Sequence, residues 1–306
     1  MLNINRILYA TDFSSSSEHA LAHALYLARE HDAKLHMLHA VLLHSENPHD
    51  PAHHFPDLGS LDNRLRQAAA DRMADLLDAH DVPEDHVVRV RKRGIAAAPV
   101  ILEYAQDEDV DLIIVGTHGY RGLSRLMLGS VAEEVIRLAP CPVLAIRGHK
   151  RRPAIRPFRT ILAPLDFSHH SKSALEHASE LATLYGAKLS LMHVVDDATV
   201  RDLPPTVAPD VITPEDPVIR SARRHCLRIM EEVGGAAADA DVEVLPGHPV
   251  SAITQYARAR GVDLIAIASH GRGALESMLM GSVASGVLSH APCSMFVLKA
   301  FGRTLT

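Results

Sequence analysis

Residues 7–14 read ILYATDFS and residues 161–168 read ILAPLDFS, so one apolar run ending in the same Asp-Phe-Ser turn occurs twice. The two copies lie 154 residues apart in a chain of 306 residues. From Ile7 to Ala28 they agree at 12 of 22 positions. A repeat of half the chain length indicates a duplicated domain rather than a solenoid of short units.

The later parts of each half repeat as well. The matching segments are VDLI at 110–113 and 262–265, GSVA at 129–132 and 281–284, and APC at 139–141 and 291–293. We therefore predict one domain at residues 1–147, a linker at 148–159 and a second domain at 160–306. Pro153 and Pro157 would interrupt a helix in the linker. Its many Lys and Arg residues favour a solvated connection over the alternative of a nucleic-acid-binding arm.

Each half alternates between strand-like and helix-like segments. In the first half we predict strands at 5–10, 33–41, 86–93, 111–116 and 141–146, with helices after Ser14 and at 61–80, 99–107 and 130–138. This order predicts an α/β protein of two tandem doubly wound, Rossmann-like domains. Each would have a five-stranded parallel sheet of order 3-2-1-4-5 with helices on both faces. Such sheets bind ligands at the carboxyl ends of the strands flanking the reversal of strand order.

The composition excludes several classes of protein. A hydrophobic content of 47% supports a folded core, and three Cys residues are too few for a disulfide scaffold. Only 4% of residues are aromatic and the formal net charge is −6, which disfavours a nucleic-acid binder. No apolar run approaches the roughly 20 residues of a membrane span, and no signal core precedes Asp12. We expect a cytoplasmic protein, with most of its 21 His residues on a solvated surface.

One glycine pattern carries the functional prediction. The fourth strand ends at Gly116, Gly119 follows, and nine residues later Gly129-Ser130 opens a helix. Amides at a helix N-terminus bind phosphate well, and glycine lets a ligand approach the backbone closely. Asp12 ends the first strand across the same crevice, where it would accept bonds from ribose hydroxyls or help to hold a divalent cation. The alternative for Asp12 is a turn or helix-capping carboxylate.

With this pattern the chain resembles a tandem member of the universal stress protein family. The resemblance rests on Asp12 and Asp166, the G-x2-G-x9-G-S segment and the Ala-Pro-Cys before the fifth strand, and it spans nearly the whole chain. It implies ATP as ligand, with Mg²⁺ as a candidate companion ion. The implied contacts in the first half are Thr11, Asp12, Ala40, Gly116, His118, Gly119, Gly129, Ser130 and Val131. In the second half they are Asp166, Val194, Gly271, Gly281, Ser282 and Val283.

The resemblance also implies an architecture. Single-domain relatives pair through their last strands, so residues 141–146 and 293–298 are the expected seam of an internal pseudo-dimer. A homodimer of the whole chain and an unidentified protein partner remain open.

The second half departs from the pattern at one position. Ala268 stands where the first half has Gly116, which places a methyl group where the backbone is expected to approach the ribose. We therefore expect the second half to bind nucleotide more weakly than the first, or not at all.

The chain has no Walker A segment, nucleophile elbow, H-E-x-x-H sequence or Cys pair at zinc spacing. We predict a nucleotide-dependent stress-response regulator with at most slow ATP hydrolysis and no assigned catalytic residue. The alternative is an interaction scaffold that uses the fold without nucleotide. An adenylating enzyme is disfavoured because two near-copies leave no room for a substrate domain. The pair His19 and His23, and the cluster His49, His53 and His54, are weak metal candidates, and no metal site is predicted.

Overall fold

The computed structural model describes residues 2–42, 58–80, 82, 86–117, 128–148, 157–196, 216–271, 280–299 and 305. These residues form two compact units, which divide between the strand ending at Ile146 and the strand beginning at Thr160. No helix within these ranges combines the length and the apolar character that a membrane crossing requires.

The first unit confirms the predicted fold class. Its elements are β1 (Arg6–Ala10), α1 (Ser15–His31), β2 (Lys34–Leu42), α2 (Leu58–Asp78), β3 (Val87–Gly94), α3 (Ala97–Asp107), β4 (Leu112–Gly116), α4 (Ser130–Leu138) and β5 (Val143–Ile146). The strands are parallel in the order β3-β2-β1-β4-β5. Strand β5 begins at Val143 rather than at residue 141, as expected where Pro142 cannot donate a ladder hydrogen bond.

The second unit repeats this plan. Its elements are β6 (Thr160–Pro164), α5 (His169–Tyr185), β7 (Lys188–Val195), α6 (Pro217–Val233), β8 (Asp241–Pro246), α7 (Pro249–Arg260), β9 (Leu264–Ala268), α8 (Ser282–His290) and β10 (Ser294–Leu298). Its parallel strand order is β8-β7-β6-β9-β10.

The same local chemistry starts the first helix of each unit. The Ser14 hydroxyl accepts a hydrogen bond from the Ser17 amide at 3.3 Å, and Ser168 accepts one from Ser171 at 3.1 Å. Both serines are N-caps, which satisfy an amide that the helix itself leaves unpaired. The helix therefore begins at a set distance from the end of the preceding strand, and the residues between them face the carboxyl edge of the sheet.

The expectation that the histidines lie on the surface is wrong for five of them. His19, His23, His36, His177 and His270 are buried. Several bond to groups inside the fold: His36 Nδ1 lies 2.7 Å from the Tyr104 hydroxyl, and His19 Nδ1 lies 2.6 Å from the Ser15 carbonyl oxygen. A histidine on the apolar face of a helix or strand is thus buried in this fold.

The two metal candidates have different outcomes. Nδ1 of His19 is hydrogen-bonded to the Ser15 carbonyl oxygen of the same helix. The described residues contain no group of three or more His, Cys, Asp or Glu side chains placed to hold a metal ion. His49, His53 and His54 lie outside the described residues.

Candidate functional site

A cleft of about 860 Å³ opens at the carboxyl ends of β6, β7 and β9 in the second unit. Helices α6 and α7 and the start of α8 form its walls. All six residues predicted for this half line it: Asp166, Val194, Gly271, Gly281, Ser282 and Val283. The cleft lies where the strand order reverses between β6 and β9, the position that doubly wound sheets use for ligands.

One end of the cleft is the N-terminus of α8. Gly281 precedes the helix, donates its amide proton to the Ser269 carbonyl at 2.8 Å, and accepts at its own carbonyl from the Ser285 amide at 2.9 Å. The amides of Ser282 and Val283 belong to the first turn and have no partner within the helix. Together with the helix dipole, they make this end of the cleft suited to an anion.

Asp166 lies deeper in the same cleft. Its Oδ1 accepts hydrogen bonds from the Ser168 amide at 3.0 Å and the Ser168 hydroxyl at 2.6 Å. The turn role considered for Asp12 is therefore present at its counterpart Asp166, and at Asp12 itself. Phe167, between the two, has a φ of 64°, a left-handed conformation that costs a non-glycine residue about 1–2 kcal/mol. Turns of this kind, held in an unfavourable conformation, are often found at functional sites.

Position 271 requires glycine because a neighbouring side chain lies close to it, and not because its backbone adopts a positive φ. A Cβ atom at this position would collide with Oδ2 of Asp166. The loop backbone after β9 therefore lies directly against the carboxylate, as the spacing of the glycine pattern predicts.

A stack of three rings near Asp166 was not predicted. Phe167 packs against His193 at a centroid distance of 4.1 Å and against His225 at 4.2 Å. His193 Nδ1 lies 2.7 Å from the Leu165 carbonyl, so that nitrogen carries a proton and donates it. All three rings line the cleft. The repeat contained a usable signal, because Phe13 and His39 match Phe167 and His193 at the same offset of 154.

The first unit holds a related arrangement. Phe13 has a φ of 61°, and its ring lies 4.4 Å from that of His39. His39 Nδ1 donates to the Thr11 carbonyl at 2.8 Å, and burial lowers the pKa of His39. The guanidinium of Arg72, at the place of His225, lies 5.5 Å from the centre of the Phe13 ring.

The predicted residues of the first unit occupy the corresponding positions. Thr11 and Asp12 follow β1, Ala40 lies in β2, Gly116 ends β4, Gly129 caps α4, and Ser130 and Val131 begin it. Asp12 is exposed and its Oδ1 accepts from the Ser14 amide at 3.0 Å. The Gly129 amide donates to the Thr117 carbonyl at 2.7 Å, as Gly281 does to Ser269. His118 and Gly119 lie outside the described residues.

The structure assigns Gly116 a different constraint from the expected one. A Cβ atom there would lie 2.8 Å from the Ser16 carbonyl carbon and 2.8 Å from the Ser17 nitrogen, both in the backbone of α1. The missing side chain thus allows α1 to pack closely on β4. Ala268, its counterpart in the second half, lines the cleft, so weaker binding by that half stays a prediction.

Replacing Gly116 with alanine is expected to lower the free energy of unfolding by about 1–3 kcal/mol, because helix backbone cannot move aside as a side chain can. The reciprocal variant Ala268→Gly should cost only about 0.5–1 kcal/mol. Urea denaturation of both variants measures the difference. Equal stability of Gly116→Ala and the wild type would show that α1 adjusts freely.

Comparison with known proteins identifies the family. The model of the universal stress protein family matches the chain twice, over residues 3–147 and 157–299. The chain belongs to the universal stress protein family. It is similar along nearly its whole length to a universal stress protein of Mycolicibacterium smegmatis, with 24% identity over 96% of this chain and 96% of the relative.

Two further universal stress proteins are similar to this chain, one over about half of it and one over nearly all of it. One from Methanocaldococcus jannaschii is 32% identical over 48% of this chain and 84% of its own length. A solved universal stress protein structure from Archaeoglobus fulgidus has a TM-score of 0.66 at 20% identity and covers 96% of this chain and 98% of its own. At this identity the solved structure supports the fold alone.

Proposed function

We propose that this universal stress protein binds an adenine nucleotide in both halves and acts as an ATP-dependent regulatory switch. The observation that carries the proposal is the second-unit cleft, which places a carboxylate, a close glycine and an open helix N-terminus around one space. The proposed functional units are the predicted domains at 1–147 and 160–306. As an ATP-dependent regulator, the protein is proposed to act in the cytoplasm.

The cleft offers a suitable group to each part of a nucleotide. The amides of Ser282 and Val283 would bind phosphate oxygens, and the Ser282 hydroxyl can add a further donor. The carboxylate of Asp166 can accept hydrogen bonds from ribose hydroxyls. Val194, near the end of β7, lines the cleft and would provide an apolar contact for the base. Mg²⁺, if bound with ATP, would be held mainly by phosphate oxygens and water.

The first half presents the same groups at Asp12, Ser130 and Val131, joined by the equivalent Gly129 contact. Nucleotide bound between the strand ends and the N-terminus of α4 or α8 would stabilise the conformation of the protein that binds it best. This differential stability is the basis of the proposed switch. We assign no general base, so hydrolysis is expected to be slow or absent.

Nucleotide content tests the proposal directly. Purified protein would be denatured and its released nucleotide identified by chromatography, and protein freed of nucleotide would be titrated with ATP by calorimetry. We expect two adenine nucleotides per chain at saturation. One per chain would reject binding in one half, and none, even with millimolar ATP, would reject the proposed function and leave the scaffold alternative.

Matched variants in the two halves of the chain show which half binds each equivalent of ATP. Asp12→Asn and Asp166→Asn keep an oxygen that accepts from the Ser14 or Ser168 amide but remove the charge. Each is expected to weaken one of the two ATP sites by about 10-fold, the order of one charge-assisted hydrogen bond. Unchanged affinity in both variants would show that neither carboxylate contacts the ligand.

A further inference from the structure

The two units differ sharply on one face, between the second helix and the edge strand. In the second unit this face is apolar: Val195, Ile219 and Ala222 form a buried cluster, and Phe167 and Val244 pack against it. Residues of α6 and β8 correspond to residues of α2 and β3 at an offset of 153. The buried pairs Ala69 and Ala222, Met73 and Cys226, and Leu77 and Met230 support this alignment.

In the first unit two arginines replace members of that surface, and a third replaces His225, which stacks on Phe167. Arg66 stands at the position of Ile219, Arg72 at that of His225, and Arg91 at that of Val244. We call these three residues the arginine cluster.

A series of contacts connects the cluster. The Arg72 guanidinium lies over the Phe13 ring at 5.5 Å, and Phe13 contacts His39 at 4.4 Å. His39 pairs with Arg91 in the β2–β3 register, and Arg91 Nη1 donates to the Arg66 carbonyl at 3.3 Å. Arg72 and Arg91 are exposed and Arg66 is half-buried, so the cluster is accessible to a ligand.

Protection of a sheet edge does not account for the cluster. Edge strands often carry Lys or Arg to prevent pairing with other chains, and this would explain Arg91 on β3. It does not explain Arg66 and Arg72, which lie on a helix. Strand β8 is the edge strand of its own unit and carries Val244 where β3 has Arg91. The second unit places an arginine elsewhere, at Arg223, which donates to the Val242 carbonyl at 3.0 Å. Arginine at the three cluster positions is therefore not a requirement of this fold.

We propose that the arginine cluster is a phosphate-binding site of the first half, separate from the N-terminus of α4. Strand β3 lies three strands from β4, which is about 14 Å at the spacing of parallel strands. Arginine binds phosphate through paired donors, and several guanidiniums at one end of a cleft attract anions. Asp12 follows β1 near this end, and its Oδ1 accepts from the Ser14 amide at 3.0 Å.

The phosphate has two possible sources, a free polyphosphate or a second phosphate on a nucleotide held in the same cleft. Only the second source rests on the proposed function. In the second unit the cleft reaches His225, the counterpart of Arg72, so a ligand filling the equivalent space in the first unit would extend to the arginine cluster.

The test uses calorimetry on variants in which the three arginines are replaced by the residues found at the same positions of the second half. Tripolyphosphate would be titrated into protein saturated with ATP, and separately into protein without nucleotide. The wild type is expected to bind one equivalent in the presence of ATP. The triple variant Arg66→Ile, Arg72→His, Arg91→Val should bind it at least about 30-fold more weakly, since charged hydrogen bonds are lost at three positions.

The single variants Arg72→Gln and Arg91→Gln change exposed side chains, so a loss of tripolyphosphate binding in them would not come from repacking of the helix face. Arg29→Gln is the control for the loss of one positive charge alone. Equal tripolyphosphate binding by the wild type and all cluster variants overturns the proposal while leaving ATP binding intact. If the wild type binds tripolyphosphate but never binds ATP, and the cluster variants lose tripolyphosphate binding, the result supports the arginine cluster and rejects the proposed function.

Adenosine 3′,5′-bisphosphate and 5′-AMP distinguish the two sources. A preference of the wild type for the bisphosphate of about 10-fold or more, abolished in the cluster variants, would assign the second phosphate to the nucleotide. Equal affinity for both nucleotides, with tripolyphosphate binding retained, would assign it to a free polyphosphate.

Discussion

Replacing Gly271 with valine is expected to weaken nucleotide binding in the second half by about 100-fold or more and to leave the first half bound. The added Cβ would collide with Oδ2 of Asp166. That carboxylate is held by the amide and hydroxyl of Ser168, so it cannot move aside without breaking both bonds. Calorimetric titration should then show one ATP equivalent instead of two.

A comparison variant is Gly281→Ala, at the glycine that precedes α8. A Cβ there would approach no atom closer than the Ser269 carbonyl oxygen at 3.4 Å, and the φ of −59° suits any residue. This variant adds no close contact within the protein, so it is expected to be as stable as the wild type, and any loss of ATP binding would report contact of the ligand with this backbone. Two equivalents in Gly271→Val would place the ligand away from Asp166, and thermal denaturation would identify a variant that lost binding by unfolding.

The fold was predictable from the sequence because its signals are local. The strand at 112–116 is a short, continuous apolar run, the helix at 130–138 follows a glycine and a serine, and the strand order follows from right-handed connections. The repeat then applied the same assignment to the second half. The positions of Asp166 and Gly271 were also predictable, because parallel strands bring their carboxyl ends to one edge.

The features that were missed depend on contacts between elements far apart in the chain. The stack of Phe167 with His193 and His225 joins a turn, a strand and a helix. The repeat marks Phe167 and His193, but nothing in the sequence shows that the three rings meet. The packing role of Gly116 was likewise missed. A glycine near a candidate ligand site was interpreted only as a ligand contact, and the structure adds that it accommodates the backbone of α1.

The buried histidines lead to the second large effect, a loss of stability in mild acid. Burial, with a smaller contribution from nearby His19, lowers the pKa of His23 from 6.5 to about 4. The unfolded chain therefore takes up a proton below pH 6.5, whereas the folded chain resists protonation until about pH 4. Stability from this group is complete above pH 6.5 and is lost as the pH falls through that window, by about 3 kcal/mol in total.

Burial also lowers the pKa of His36 and of His177, so both residues change stability in the same direction. Urea denaturation at about pH 7 and about pH 4.5 would measure the combined loss for the wild type. The variant His23→Gln has no titrating ring, so its loss over this interval is expected to be smaller by about 2–3 kcal/mol. His248 is exposed, and His248→Gln should behave as the wild type does. A pH dependence that is identical in all three proteins would show that His23 is as easily protonated in the folded chain as in the unfolded one.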